Sequence, residues 1–136
     1  MAQLMQLSVV APDRSVVEET IESVIIPGAE GYFGVLRGHV PVIAALKPGL
    51  VEYIDSNNQR HYVSVSGGFA EISPTKINIL ADAAEKAQDI DVARAERALE
   101  NARKALRGEV SGVTSTEATA ELERAMNQLK AAKLSS

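Results

Sequence analysis

The sequence predicts an α+β protein, with an amino-terminal β-sandwich over residues 1–84 and a carboxyl-terminal antiparallel two-helix hairpin over residues 85–136. All five prolines, all five aromatic residues and seven of the nine glycines lie before residue 82. The segment that follows is rich in alanine and carries balanced acidic and basic charges. This change in composition places the domain boundary near Asp82 to Lys86.

The first half combines β-branched residues with closely spaced turn signals, which is typical of short strands. Strands are predicted in the stretches LMQLSVVAP, SVVEETIESVIIPG, GLVEYIDSNNQRHYVSVSGG and FAEISPTKINILA. Ser56 to Gln59 supply the turn of one hairpin, and Pro74 marks the corner of a second. Many short strands at this spacing indicate a sandwich or a flattened barrel.

The second half changes to the three-and-four spacing of amphipathic helices. Asp89 is predicted to cap the first helix, and Thr114 with Glu117 to form a capping box for the second. The predicted seam is mostly alanine: Ala95, Ala98, Leu99, Ala102, Leu106, Ala118, Leu122, Ala125, Leu129 and Ala132. Because alanine buries little apolar surface, we expect a rigid sandwich that carries a loosely held helical arm.

Composition excludes several classes of function. A chain of 136 residues has room for one good core, or for one core and a small satellite, and its net charge of −4 argues mildly against nucleic acid as the main partner. The absence of cysteine excludes disulfides, thiolate zinc sites and cysteine nucleophiles. No apolar run approaches the length of a membrane span and no secretory signal is visible, so we expect no direct membrane insertion.

Few residues offer reactive chemistry. The two histidines have structural explanations, His39 in a turn and His61 on a strand, and they lack metal-ligand spacing. The SGG stretch from Ser66 to Gly68 is interpreted as a bend or bulge between strands. Three glutamates are interpreted as a solvated face or a protected edge, namely Glu18, Glu19 and Glu22. The sequence therefore predicts neither a catalytic nor a metal site.

Several stretches together resemble one family. They are SVVAPDR, GYFGVLRGHVPVIAALKPG, VSGGFAEISPTKINILADAAEKAQDID and the closing helical hairpin, and they cover nearly the whole chain in order. The chain is similar to the epsilon subunit of the F-type ATP synthase of bacteria or cyanobacteria. The resemblance implies a non-catalytic rotor subunit that is peripheral, on the cytoplasmic or stromal side of an energy-transducing plasma or thylakoid membrane.

The resemblance also implies partners. The sandwich would seat on the gamma subunit and on the ring of c subunits. The hairpin would fold against the sandwich, or extend along gamma into the alpha/beta catalytic head and inhibit ATP hydrolysis. The alternative is a free-standing β-sandwich ligand-binding module with a helical oligomerisation arm, and binding to a gamma subunit would discriminate between the two. A small hydrolase would need a reactive constellation that the sequence lacks.

The family's ring-facing loop corresponds here to residues 30–39. The partner-binding positions that the resemblance implies in it are Glu30, Gly31, Tyr32, Phe33, Arg37 and His39. An exposed Tyr32 or Phe33 would supply docking area, whereas the loop glycines alternatively serve only to allow tight turns. The family places cations of its last helix against the catalytic subunits, and the corresponding residues here are Arg124, Lys130 and Lys133, which alternatively are ordinary solvated charges.

The family further contains an ATP-sensing motif of the form Ile/Leu-Asp-x-x-Arg-Ala. The stretch IDVARA matches it through Ile90, Asp91, Arg94 and Ala95, and Glu85 upstream also agrees. The positions of the family's other phosphate-binding arginines appear as Asn101 and Gln128, which leaves Arg94 and Arg124 as the expected phosphate contacts.

The same motif has a structural explanation. Asp91 suits the positive end of a helix, and with Arg94 it would form an i,i+3 pair worth only ~0.2–0.5 kcal/mol. The loss of two guanidinium groups would weaken a triphosphate site. The sequence therefore favours the structural role and predicts no bound cofactor, with weak ATP binding as the less favoured alternative.

Overall fold

The computed structural model describes residues 3–135 and confirms the predicted architecture of strands followed by two helices. The elements are, in chain order, β1 (Met5–Ala11), β2 (Arg14–Gly28), β3 (Gly31–Val35), β4 (Val42–Asp55), β5 (Arg60–Ile72), β6 (Lys76–Ala81), β7 (Ala84–Lys86), a 3₁₀ turn (Ala87–Asp89), α1 (Val92–Leu106) and α2 (Ser115–Ser135).

The strands close on themselves into a flattened sandwich. The hydrogen-bonded order is β1-β6-β5-β4-β2, and β1 also pairs with β2, so these five strands have no free edge between them. The β1 and β6 strands are parallel, and the other pairings are antiparallel. β3 adds to β2 and β7 adds to β5, so the chain leaves the sandwich beside β5.

Alternating side chains fill the interior, as the strand pattern requires. Leu7 and Val9 of β1 are buried, as are Val51 and Tyr53 of β4 and Ile77 of β6. Both predicted turns are confirmed. Residues 56–59 connect β4 to β5, and the segment around Pro74 connects β5 to β6 through a bond of 2.9 Å from the Ser73 amide to the Lys76 carbonyl.

The SGG stretch forms a bend inside β5. Gly67 and Gly68 have φ angles of +112° and +119°, which side-chain-bearing residues rarely adopt. The pairing of β5 with β7 before the bend and with β6 after it keeps one register. The bend therefore redirects β5 without an inserted residue.

The arm rests on the sandwich through α2. α1 packs on α2, and α2 packs on β4 and β5. The contact between α2 and the sandwich is a small apolar group, which we name the docking cluster and which consists of Leu50, Ala87 and Ala131 with Tyr62 and Ile90 at its margin.

Three helical details differ from the sequence predictions. Asp91, not Asp89, caps α1, because the chain spends residues 87–89 in the 3₁₀ turn. Leu106 is an exposed residue at the end of α1 rather than a seam residue. Thr114 caps α2 as predicted, accepting a bond of 3.1 Å from the Glu117 amide, but within residues 3–135 the Glu117 side chain makes no return bond.

Candidate functional site

A cleft of about 420 Å³ opens where the two helices meet the edge of the sandwich. Its size falls in the range of small-molecule sites, roughly 300–1,000 Å³. The lining comes from β5, the β7 region and both helices: Ser64, Ser66, Ala83, Ala84, Glu85, Asp91, Arg94, Ala95, Ala98, Glu121, Arg124 and Gln128.

The polar side chains of the cleft are only partly paired. Asp91 Oδ1 accepts a bond of 3.1 Å from the Arg94 amide, which is the helix cap. Gln128 Nε2 donates to Glu85 Oε1 at 3.3 Å. Arg124 lies 3.6 Å from Glu121, one turn away on α2. Among the ion pairs of the described residues none joins Asp91 to Arg94, so the predicted i,i+3 side-chain pair is wrong.

The charge of the cleft is not suited to a polyanion. Its guanidinium groups are Arg94 and Arg124, and its carboxylates are Glu85, Asp91 and Glu121, so formal charges of +2 and −3 leave −1. The Arg94 guanidinium has no hydrogen-bond or ion-pair partner within residues 3–135 and is the cation most available to a ligand. A triphosphate here would face one free cation and three carboxylates.

The motif residues divide between the cleft and the docking cluster. Asp91, Arg94 and Ala95 line the cleft together with Arg124, as do Glu85 and Gln128. Ile90 does not line it and packs at the margin of the docking cluster. Asn101 is exposed and also lies outside the lining residues.

The loop of residues 30–39, which the resemblance expects to face the ring, consists of Glu30, β3 and the turn that follows it. Tyr32 is 50% exposed, but its hydroxyl accepts a bond of 3.1 Å from the Leu50 amide, and the Lys47 ammonium lies 5.2 Å from its ring centroid. Phe33 is partly buried against the sandwich core, so of the two aromatic residues that the sequence offered for docking, Tyr32 is the exposed one. Glu30 and Arg37 are exposed, and His39 Nδ1 lies 2.7 Å from the Val40 carbonyl.

The most exposed apolar side chains near this loop were missed by the sequence analysis. Leu36, Val40 and Ile43, here named the apolar turn, are 65%, 72% and 70% exposed. The signal was present, because LRGHVPVI sets apolar residues among turn formers where no strand alternation buries them.

At the other end of the chain, Lys130 and Lys133 lie exposed on α2 beside the buried Ala131.

Comparison with known proteins defines the class. The family described as ATP synthase delta/epsilon chain, beta-sandwich domain, matches residues 4–87, and the corresponding long alpha-helix domain matches residues 88–133. The chain therefore belongs to the delta/epsilon chain family of ATP synthase and is an epsilon-type subunit.

The relatives agree with this assignment. The ATP synthase epsilon chain of Nitratidesulfovibrio vulgaris is 41% identical over 96% of this chain and 96% of its own length. That of Solibacter usitatus is 39% identical over 97% of this chain and 98% of its own. In a solved mitochondrial ATP synthase from Euglena gracilis, a chain with 26% identity has a TM-score of 0.75, covering 98% of this chain and 82% of that one.

A chain in the structure of the central stalk and c-ring of the Tetrahymena thermophila mitochondrial ATP synthase has 12% identity, covering 96% of this chain and 97% of its own, with a TM-score of 0.60, and shares the fold. Neither helix in the described part of the chain has the length and apolar character needed to span a membrane.

Proposed function

We propose that this epsilon-type chain is a central-stalk subunit of the rotor, coupling the c-ring to the catalytic head, and that its helical arm inhibits ATP hydrolysis when it leaves the sandwich. The subunit would be non-catalytic and peripheral, on the cytoplasmic or stromal side of the membrane. The observation that carries the proposal is the small attachment between α2 and the sandwich.

That attachment depends on few groups. The α2 residue buried in the docking cluster is Ala131, and an alanine methyl contributes about 0.8 kcal/mol when buried. The bond from Gln128 to Glu85 adds ~0.5–1.5 kcal/mol. A contact of this size can be exchanged for another surface, because a competing partner must supply only a few kcal/mol.

The sandwich offers a rigid surface on which partner subunits could dock. The apolar turn is exposed, and Tyr32 of the preceding strand β3 is half-exposed, with its hydroxyl accepting the bond from the Leu50 amide. Exposed apolar side chains on a fixed scaffold are typical of protein interfaces. We assign contact with the c-ring to the loop of residues 30–39 and the apolar turn, with gamma as the second partner of the sandwich. On the extended arm, the cations Arg124, Lys130 and Lys133 would face the alpha/beta catalytic head.

The absence of cysteine permits a direct test. In a Glu85→Cys/Gln128→Cys chain, a short bismaleimide would tie α2 to β7 and hold the arm down. The chain is added to an F-type ATP synthase depleted of its own epsilon subunit, and ATP hydrolysis is measured with and without the cross-link. We expect the chain without the cross-link to inhibit ATP hydrolysis and the cross-linked chain to lose this inhibition.

The single variants, treated with the same reagent, provide the matched control and should inhibit like the untreated chain. Undiminished inhibition by the cross-linked chain would contradict an arm mechanism. Failure of the untreated chain to form a one-to-one complex with gamma would favour the alternative of a free-standing ligand-binding module.

A further inference from the structure

A group of three partly buried potential metal ligands lies on the sandwich, away from the cleft. Glu19 of β2, Asp55 at the end of β4 and His61 of β5 each place one ligand atom so that all three lie within 4.8 Å of one another. They come from three strands and are separated by 36 and 6 positions in the sequence. None of them lies in the ring-facing loop or in the cleft.

Strand geometry explains why these side chains meet. Val17, Glu19 and Ile21 share the inward face of β2, with the two apolar members buried. Asp55 pairs with Ile21 across the sheet, which sets its position beside this face. His61 pairs with Tyr53 across the β4–β5 hairpin, and the two rings stack with centroids 4.8 Å apart. The interpretation of Glu19 as a solvated residue is therefore wrong.

Two of the three residues are satisfied by protein contacts. His61 Nε2 lies 2.7 Å from Asp55 Oδ2, and Asp55 Oδ1 accepts bonds of 2.8 and 2.9 Å from the amides of Asn57 and Gln59. These contacts fix the positions of the Asp55 carboxylate and the His61 imidazole beside Glu19.

Glu19 is different. Its Oε2 atom is buried and has no hydrogen-bond partner among the described residues. The buried Tyr53 hydroxyl forms a hydrogen bond with the Glu19 carboxylate, so the unpaired atom is Oε2 and not the whole carboxylate. A buried carboxylate oxygen without a partner is costly, and a pairing of Asp55 with His61 alone leaves that cost in place.

We propose that Glu19, Asp55 and His61 form a binding site for a divalent transition-metal ion of the zinc type. Imidazole nitrogen and carboxylate oxygen are both zinc ligands, and three protein ligands would leave the fourth tetrahedral position to water. Hard oxygen-seeking ions such as Mg²⁺ or Ca²⁺ would gain nothing from the imidazole.

The geometry requires only small movements. Zinc takes nitrogen and oxygen ligands at about 2.0–2.2 Å, which sets tetrahedral ligand atoms roughly 3.3–3.5 Å apart. Asp55 Oδ2 and His61 Nε2 would thus separate slightly from 2.7 Å, and Glu19 would move towards them. The ion can enter from solvent, because the side chains of His61 and Asp55 are 29% and 16% exposed.

Such an ion would join β2 to the β4–β5 hairpin. Its three ligands all come from the sandwich, and none lies on the arm or among residues 30–39. We therefore assign it a structural effect on the sandwich that does not require arm extension.

Zinc chloride titrated into the metal-free full-length chain by calorimetry tests the site. We expect one zinc per chain, a higher unfolding midpoint in zinc, and at least a tenfold loss of affinity in Glu19→Gln and in His61→Gln. Two matched variants should bind like the parent chain: Glu18→Gln, the neighbouring carboxylate bonded to Ser8, and His39→Gln, the other histidine.

A second measurement needs no variant. Cobalt(II) added to the ¹⁵N-labelled chain should broaden the amide signals around residues 19, 55 and 61 before any others. Three results would overturn the proposal: no saturable zinc binding up to millimolar concentration, zinc affinity that survives both ligand substitutions, or cobalt broadening centred on another part of the chain.

Discussion

Gln128 of α2 and Glu85 of β7 are joined by a side-chain hydrogen bond of 3.3 Å across the gap between arm and sandwich. Both residues also line the cleft, and Glu85 is the middle residue of β7. This bond is partly buried and joins α2 to β7, so its removal should weaken the attachment of the arm to the sandwich.

The first prediction concerns that bond. Gln128→Ala should weaken arm docking by ~0.5–1.5 kcal/mol, because it removes one hydrogen bond and leaves the Glu85 carboxylate without this partner. The distance between spin labels on α2 and β4 should then show a larger extended population. Asn101→Ala, an exposed amide on α1, is the control and should leave the distribution unchanged. An unaltered distribution in Gln128→Ala would mean that the docking cluster alone holds the arm.

The second prediction separates the two faces of the hairpin. Ala125 is buried in the seam, so Ala125→Leu should overpack it at a cost of ~1–3 kcal/mol. Ala98 is half-buried at the open cleft, where a leucine has room. Limited proteolysis in the loop of residues 108–114 should therefore accelerate in Ala125→Leu and stay near the parent rate in Ala98→Leu. Equal rates in the two variants would contradict the assignment of Ala125 to the seam.

Periodicity and turn chemistry predicted most of the fold. The hairpins at residues 56–59 and Pro74 and the cap at Thr114 depend on local patterns, and the structure has them. Of the predicted seam alanines, the buried ones are Ala95, Ala102, Ala118 and Ala125; near the end of α2 the buried residue is Ala131 and not the predicted Ala132. Asp89 was misjudged because two aspartates two positions apart can each cap a helix, and only the 3₁₀ turn before Ile90 decides between them.

The sites were harder to predict because their residues come from distant parts of the chain. The cleft brings Glu85 to Gln128 over 43 positions, and the motif stretch identified only one wall of it. Glu19 belongs to an acidic run, and only the alternation of Val17 with Ile21 indicates that it points inward. The sequence left open whether Tyr32 or Phe33 is exposed, and strand β3 decides it by turning Phe33 towards the core and Tyr32 towards solvent.

The third prediction concerns the bend in β5. A Cβ atom at Gly68 would lie 2.8 Å from the Ala81 Cα and closer still to the Leu80 carbonyl oxygen, and the φ angle of +119° is itself strained for any other residue. Gly68→Ala should lower the free energy of unfolding by at least about 2 kcal/mol. Urea denaturation measures this loss. Gly34→Ala, whose Cβ would make only an ordinary contact, should change the midpoint little.

The fourth prediction concerns the domain boundary. β7 pairs Ala84, Glu85 and Lys86 with Val65, Ser64 and Val63 of β5, and Ala87 is buried against Leu50. We expect a chain ending at residue 87 to unfold cooperatively, and a chain ending at residue 84 to be less stable because it loses most of β7. Thermal unfolding of the two chains, followed by circular dichroism, decides the matter. Equal midpoints would show that β7 contributes nothing to the sandwich.

The last prediction concerns ATP. Asp91 uses its carboxylate as the cap of α1, Arg124 lies beside Glu121, and the cleft has a formal charge of −1, so only Arg94 is available to a phosphate. We therefore expect no saturable amide shifts below millimolar ATP when the labelled chain is titrated. Glu121→Gln removes one carboxylate and frees Arg124, and since hydrogen bonds from charged groups contribute about 1.5–3 kcal/mol, it should bind ATP roughly tenfold or more tightly than the parent chain. Glu123→Gln removes the same charge from α2 outside the lining residues and should bind ATP like the parent. Saturable shifts at Asp91, Arg94 and Arg124 of the parent chain below millimolar ATP would instead assign the IDVARA stretch a sensing role.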